Sequence, residues 1–424
     1  MEEALEGCFD AAIVGAGIMG LCTAYELARR GKSVIILEQF DLLHRRGSSH
    51  GESRTLRLTY PESYYTLMAR SALDLWKSAQ REAGFEVYKR TGQLDFGAAD
   101  HPGLQQLIAA CREHGIHHQV FGREGFRQKQ PRIAGILDLP EGCIGVWTEE
   151  AGVLRATKAC AMFLALATRH GAIVRDNARV TKISPGWKDS RGEKSVLVAT
   201  GKGSVLAKKC IIASGAWVPR IVEENFGLVL PVQPLHTTIA YWEVSDRSKH
   251  AEFLAGNGFP TFAFYNEKYF YGTPSLEFPG LIKASIHGGT PCDADDRCYI
   301  PDVEELKRIM SPWMERAFGK NVRCDAPAMA EACMYSMTPD QDFILDVLPG
   351  TQEQVLVAAG FSGHGFKMAP LVGKVMADLA ESGASPEVPL ELFSLQRFQR
   401  SAFGNEKSFD PVLIYIRTID VPIN

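Results

Sequence analysis

The chain has 424 residues, 46% of them hydrophobic and 23% charged, with a formal net charge of −4. That is more chain than one hydrophobic core usually organises, so two domains are expected. The near-neutral balance, without a stripe of basic and aromatic residues and without an apolar run of ~18 residues, argues against a nucleic-acid partner and against a membrane span.

Residues 1–9 carry acids and no apolar core, which reads as neither a secretory signal nor an arginine-rich transit peptide. Residues 11–14 form a short apolar run; Gly15, Gly17 and Gly20 follow as G-A-G-I-M-G, and Ile18, Leu21, Cys22, Tyr25 and Ala28 recur at helical spacing before Gly31. A second apolar run, 33–37, ends at Glu38. In such a unit Gly15 permits the tight turn, Gly17 lets the backbone approach a pyrophosphate, and Gly20 lets helix and strand pack closely. Open N–H groups at the helix start attract phosphate, and Glu38 stands where an acid accepts ribose hydroxyls. The glycine pattern alone is weak. With strand, helix, second strand and acid in order it predicts a dinucleotide site, without saying which dinucleotide.

Helices are expected over 64–83 and 157–169, strands over 172–174 and 178–183, a hairpin of 195–199 with 205–207, and a buried strand over 210–213. Apolar strands that end in glycine suit a parallel sheet with its ligand at the strand ends. Residues 227–289 change character. Aromatics, prolines and alternating patterns over 235–242, 261–265, 269–272 and 281–287 read as an antiparallel sheet. Helical spacing returns over 304–313. A strand over 355–358 and a helix over 370–379 flank a glycine-rich loop, 360–367. The expected fold is α/β: a Rossmann-like nucleotide-binding domain interrupted by an inserted α+β domain built on an antiparallel sheet.

The ten cysteines are scattered without a Cys-x-x-Cys pair, the usage of a reduced intracellular protein. His114, His117 and His118 lack accompanying Cys or carboxylate ligands, so no metal site is expected. Four polar clusters remain. Gly47-Ser-Ser-His50-Gly-Glu-Ser-Arg54-Thr-Leu-Arg57 is either a surface loop or a source of cofactor and carboxylate contacts, since a guanidinium pairs a planar anion through two bonds. In Lys283-Ala-Ser285-Ile-His287, strand alternation puts Lys283, Ser285 and His287 on one face, toward solvent, a partner or a ligand. Cys333-Met-Tyr335-Ser-Met-Thr338-Pro339-Asp340 holds a cysteine that is either a small buried apolar residue or a reactive one. In the loop 360–367, Gly363 and Gly365 offer backbone N–H groups to a cofactor at a helix opening, and Lys367 ends it as a ligand contact or a solvated lysine.

Together and in this order, the N-terminal loop, S-H-G-E-S-R-T-L-R, C-M-Y-S-M-T-P-D and G-F-S-G-H-G-F-K resemble the monomeric sarcosine oxidase and L-pipecolate oxidase family of FAD-dependent amine oxidases. The resemblance runs from residue 10 to 379 and on to 403. It implies FAD as cofactor, with Gly15, Gly17, Gly20 and Glu38 on its ADP half, His50 and Arg54 packed beside the ring, and Cys333 bound to it covalently as a thioether. It implies a substrate carboxylate clamped by Arg57 and Lys367, a substrate contact from Tyr271, His287 near the substrate amine, and Lys283 as the residue that activates oxygen, with Arg54 among the catalytic set. The implied reaction takes a secondary-amine amino acid, sarcosine and/or L-pipecolate, to an imine and reduces O2 to hydrogen peroxide. The expected partners are those small molecules, and the expected state is a monomer. The FAD-binding domain would comprise 8–85, 150–222 and 330–403, and the substrate domain 86–149 and 223–329. Phe262, Phe264 and Tyr265 are read as the surface that discriminates substrates. The last residues, Val-Pro-Ile-Asn, depart from the Ser-Lys-Leu type of peroxisomal address, which leaves a cytoplasmic or peroxisomal location open. The rival readings are an NAD-dependent dehydrogenase, a flavin dehydrogenase with a different electron acceptor, and a non-catalytic nucleotide-binding protein.

Overall fold

The computed structural model describes residues 6–189 and 191–407, so the last four residues discussed above lie outside the described part. The first strand, Glu6–Val14, pairs in parallel with Val34–Leu37 on one side and Gly203–Ile212 on the other. Ile173–Arg175 continues the parallel order at one edge, and Val355–Ala359 joins Gly203–Ile212 toward the other. Residues 11–14 and 34–37 are buried on both faces, as the centre of a covered parallel sheet requires. Alternation divides them. Ile13, Ile36 and Ile211 pack with the helices Ile18–Arg29, Ala156–Arg169 and Ala369–Ser382; Ala12, Val14 and Ile35 pack with the helix Val218–Phe226 on the other face. The antiparallel hairpin of Val180–Lys188 and Lys194–Thr200 attaches to the early half of Gly203–Ile212, and Ile344–Val347 runs antiparallel to Val355–Ala359, giving eight strands. The sequence reading split Gly203–Ile212 in two because Lys208 and Lys209 interrupt its apolar pattern; the backbone runs through them.

The helix lies close on this sheet because of Gly20. A Cβ there would sit 2.0 Å from the Gly15 carbonyl oxygen, so no larger residue fits without moving backbone.

The second sheet has nine strands and is mixed. Pairs among Gln233–Glu243, Leu281–Ile286, Phe270–Thr273 and Thr261–Tyr265 are antiparallel as expected, but Thr261–Tyr265 lies parallel to Gln93–Ala98. One face carries Phe96, Trp242, Phe262, Phe264 and Ile282 against the helix Val303–Phe318. Phe262 and Phe264 are therefore core residues, Phe262 also bordering the cavity, and their assignment to a substrate-discriminating surface is corrected: Ala263 and Tyr265 alternate to the opposite face. The strand Met329–Met337 pairs with Gln233–Glu243 from Gln233↔Met337 to Tyr241↔Met329. Cys333 is thus hydrogen-bonded into the second sheet, although the division drawn from the sequence assigned residues from 330 onward to the first domain.

A small third sheet of Ser53–Leu56, Gly152–Arg155 and Tyr88–Arg90 joins the two. Ser53 Oγ lies 2.9 Å from Thr273 Oγ1 in the second sheet. Among the described residues, no helix is long and apolar enough to cross a membrane.

Candidate active site

A continuous cavity is lined by strand ends of the first sheet and by the inner face of the second. At one end lies the glycine loop. Gly15 adopts φ +106°, a conformation that L side chains avoid, and Gly17 caps the helix Ile18–Arg29 with extended backbone and no side chain. Glu38 holds the loop from below. Its carboxylate accepts the Ala16 N–H at 2.8 Å and the Phe40 N–H at 3.0 Å, with His44 Nε2 at 3.5 Å. Burial alone would raise its pKa, but these partners outweigh burial and lower it, so Glu38 is an anion at neutral pH.

The segment from Ser48 to Arg57 crosses the middle. Arg54 folds it, donating to the carbonyls of Ser53 at 2.7 Å, Ser48 at 2.9 Å and His50 at 2.7 Å, while its guanidinium faces the Phe366 ring at 5.5 Å. His50 is buried, and neither ring nitrogen has a partner among the described residues. Burial, with Arg54 and other cations nearby, pushes its pKa down to about 3. A neutral buried imidazole with open hydrogen-bonding capacity on a cavity wall is a site for a ligand group.

The far end gathers the remaining residues. Cys333 is buried on the cavity wall, beside Met334, whose carbonyl accepts from Ser48 Oγ. Lys283 leaves the strand Leu281–Ile286 on the face opposite Ile282 and Ala284. Its Nζ donates to the Ser53 carbonyl at 2.9 Å and lies 5.9 Å from the Tyr271 ring centre. Burial and Arg54 lower its pKa, Glu52 partly opposes them, and the result is about 7. The hydroxyls of Tyr271 and Tyr335 share a hydrogen bond. His287 lies one residue beyond the strand rather than on it, its N–H donating to the Tyr269 carbonyl at 2.9 Å. Burial first, then Lys367 and Arg57, drive its pKa down to about 4.

Arg57 and Lys367 meet around Tyr60, a residue the sequence reading passed over. The Arg57 guanidinium stacks over the Tyr60 ring at 4.4 Å, and Lys367 Nζ donates to the Tyr60 hydroxyl at 3.0 Å and to the His364 carbonyl at 3.2 Å. Arg57 also donates to the Thr59 carbonyl and, at 3.1 Å, to the Tyr265 hydroxyl, with Asp95 at 3.8 Å. Burial would lower the pKa of Arg57, but Tyr265, Tyr269 and Asp95 outweigh it and raise it. Lys367 is pushed well down by burial and by Arg57 and Arg54. The loop 360–367 docks onto the Cys333 strand through the Ser362 N–H, which donates to Ser336 at 2.8 Å. Gly363 allows the contact: a Cβ there would lie 2.6 Å from Tyr335 and 2.7 Å from His287. At Gly365 a Cβ would meet Phe361 at 2.6 Å. Asp95, like Tyr60, gave no signal in the sequence, because its partner Arg57 arrives through tertiary folding.

Residues 10–379 match the family described as FAD dependent oxidoreductase. The chain is 45% identical to a probable sarcosine oxidase of Arabidopsis thaliana, covering 100% of both chains. It is 34% identical to a peroxisomal sarcosine oxidase of Homo sapiens, covering 92% of this chain and 96% of that one. The solved L-proline dehydrogenase of P. horikoshii shares the fold with a TM-score of 0.77 at 24% identity, covering 93% of this chain and 99% of that one.

Proposed function

Because the chain belongs to the FAD dependent oxidoreductase family, we propose that it is an FAD-dependent oxidase of amino acids with a secondary amine, sarcosine and/or L-pipecolate, with oxygen as acceptor and hydrogen peroxide as product. The observation that carries this reading is that Arg57, Lys283, Cys333 and Lys367, distant in sequence, line one cavity with the glycine loop. The residues present fit FAD: the helix start after Gly17 and the ionised Glu38 for its ADP half, the unpartnered His50 beside its ring, and the buried Cys333 as the site of a thioether link. FAD, when bound, supplies the two-electron acceptor for C–N oxidation and passes the electrons on to oxygen.

The side chains do the rest. Arg57 and Lys367 hold the substrate carboxylate and so fix the reacting carbon. Orientation of this kind contributes several kcal/mol, up to about 7–11 in the best-aligned intramolecular systems. The same positive charges disfavour a protonated amine, so the nitrogen keeps its lone pair. His287, neutral at pH 7, faces the nitrogen without adding charge, and Tyr271 contacts the substrate beside it. Lys283 offers an ammonium where negative charge develops on oxygen. The imine product hydrolyses in water unless it is cyclic. A monomer acting on small molecules in the cytoplasm or peroxisome completes the reading.

The test is a substrate panel. The purified protein should carry a yellow chromophore that bleaches anaerobically with sarcosine or L-pipecolate, and should release one peroxide per substrate when oxygen is the only acceptor. Bleaching without peroxide would identify a dehydrogenase with another acceptor. No bleaching by any secondary-amine acid overturns the reading. Acid precipitation should leave flavin on the wild type and free it from Cys333→Ala.

A further inference from the structure

Gln341 occupies a backbone conformation that a residue with a Cβ seldom adopts, φ +61°. Such a residue persists where its surroundings over-determine it. Here both neighbours are pinned. The buried Asp340 carboxylate receives Arg397 Nε at 2.7 Å, Arg397 Nη2 at 3.2 Å and the Asn405 N–H at 2.9 Å. The buried Asp342 carboxylate receives Lys407 Nζ at 2.7 Å, the Tyr64 hydroxyl at 2.8 Å and the Asn405 side-chain amide at 2.7 Å. Gln341 itself donates its N–H to Thr338 at 3.2 Å and accepts from His364 Nε2 at 3.0 Å. The residues that grip both sides, Arg397, Asn405 and Lys407, lie beyond the family match, which ends at 379.

Gln341 and His287 line the same cavity, and the Gln341 side chain hydrogen-bonds to the His287 ring. His287 lies one residue past its strand, and its N–H bond to the Tyr269 carbonyl holds the backbone but not the ring. The ring packs against Tyr269 at 5.8 Å and Tyr335 at 5.4 Å, aromatic faces that set its plane but do not choose between its nitrogens. The charged and titratable groups facing it are Lys367 and Arg57, with His364 beyond them. None of these is an anion that would select one N–H. A neutral imidazole has two tautomers, and the hydrogen bond made by one nitrogen decides what the other presents.

We propose that Gln341 is a positioning residue that fixes the tautomer and orientation of His287, and that the segment from Arg397 to Lys407 holds Gln341 in its strained conformation to do so. The proposal rests on the reading of this cavity as an amino-acid oxidase site, but its test does not need turnover.

The test uses flavin-loaded protein labelled with 15N-histidine, with the His287 signals identified by their loss in His287→Asn. The wild type should show ring shifts of a single tautomer. Gln341→Gly relieves the backbone strain and removes the side chain; it should keep or raise Tm while the His287 shifts move to those of a tautomer mixture, and it should lower kcat by tenfold or more with KM little changed. Gln341→Glu places a carboxylate against the ring and should raise the midpoint of His287 protonation by about one pH unit, which the ring shifts read directly. Arg397→Met should reproduce the tautomer mixing without touching Gln341. If Gln341→Gly and Gln341→Glu both leave the His287 shifts and midpoint as in the wild type, the positioning role is overturned. If the shifts change as expected and kcat does not, positioning stands and the assignment of His287 to the reaction fails.

Discussion

The two ends of the cavity are built on opposite plans. The nucleotide end is largely local: Gly15, Gly17, Gly20 and Glu38 come from one strand–helix–strand unit whose loop N–H groups bond to the Glu38 carboxylate, with one bond from the Ile18 N–H to Ser49 Oγ in the next segment. The end proposed as reactive takes Arg57 from just past the small third sheet, Lys283, His287 and Cys333 from the second sheet and its edge, and Lys367 from the turn after the glycine-rich loop. The nucleotide end needs only correct backbone geometry. The reactive end places ionisable groups where burial works against them, pushing Lys283 to about 7 and His287 to about 4, and lowering Lys367 as well. Groups perturbed in this way inside a cleft are poorly explained by stability and well explained by chemistry.

The comparison breaks most severely at Gly20. A Cβ there would lie 2.0 Å from the backbone oxygen of Gly15, so backbone must shift to admit it. Gly20→Ala should cost about 1–3 kcal/mol of stability by overpacking and yield protein without bound flavin, read from absorbance and thermal melting. Full flavin content in that variant would mean that the nucleotide end tolerates distortion.

Lys283→Met tests the other plan. Replacing a buried cation with an apolar chain should not lower Tm. Flavin reduction by substrate should survive within a few-fold, while reaction of the reduced protein with oxygen should slow by about 10²-fold. Equal loss in both half-reactions would remove the assigned role. The pH sign follows from the lowered pKa: the ammonium is present below about 7 and lost above it, so the oxygen step should slow as pH rises through that value in the wild type and stay flat in the variant.

The same contrast explains what the sequence revealed. The strand, glycines, helix and Glu38 are contiguous, so their spacing carries the geometry. Alternation also placed Lys283 and Ser285 opposite Ile282 and Ala284, because a strand has period two. It also put His287 on the cavity wall with Lys283, although the strand ends one residue before it; for Phe262 and Phe264 the same alternation runs into the core and leaves Tyr265 on the opposite face. Tyr60 and Asp95 had no pattern of their own. Each matters through Arg57, and the contact between Asp95 and Arg57 exists only once the Gln93–Ala98 strand has joined the second sheet. The Ser53–Leu56 strand was invisible for a related reason: its sequence, S-R-T-L, lacks apolar alternation.

The smallest effect is expected at the proposed carboxylate clamp, Arg57 and Lys367, where proton uptake on binding can be measured. Arg57 keeps its charge, because Tyr265, Tyr269 and Asp95 more than offset burial. Among the described residues, Lys367 has only the Tyr60 hydroxyl and the His364 carbonyl as acceptors, and it is pushed down by burial and by Arg57. A bound carboxylate favours the ammonium, so binding should take up as much as one proton. As pH rises that proton is harder to acquire, and affinity should fall by at most about tenfold per unit. Methoxyacetate, which has no amine to titrate, isolates the effect; its heat of binding should depend on the ionisation enthalpy of the buffer. Lys367→Arg keeps the charge at every pH and should bind without proton uptake. If the wild type binds methoxyacetate independently of pH and buffer, Arg57 alone carries the carboxylate, and the clamp is as indifferent to titration as the glycine loop.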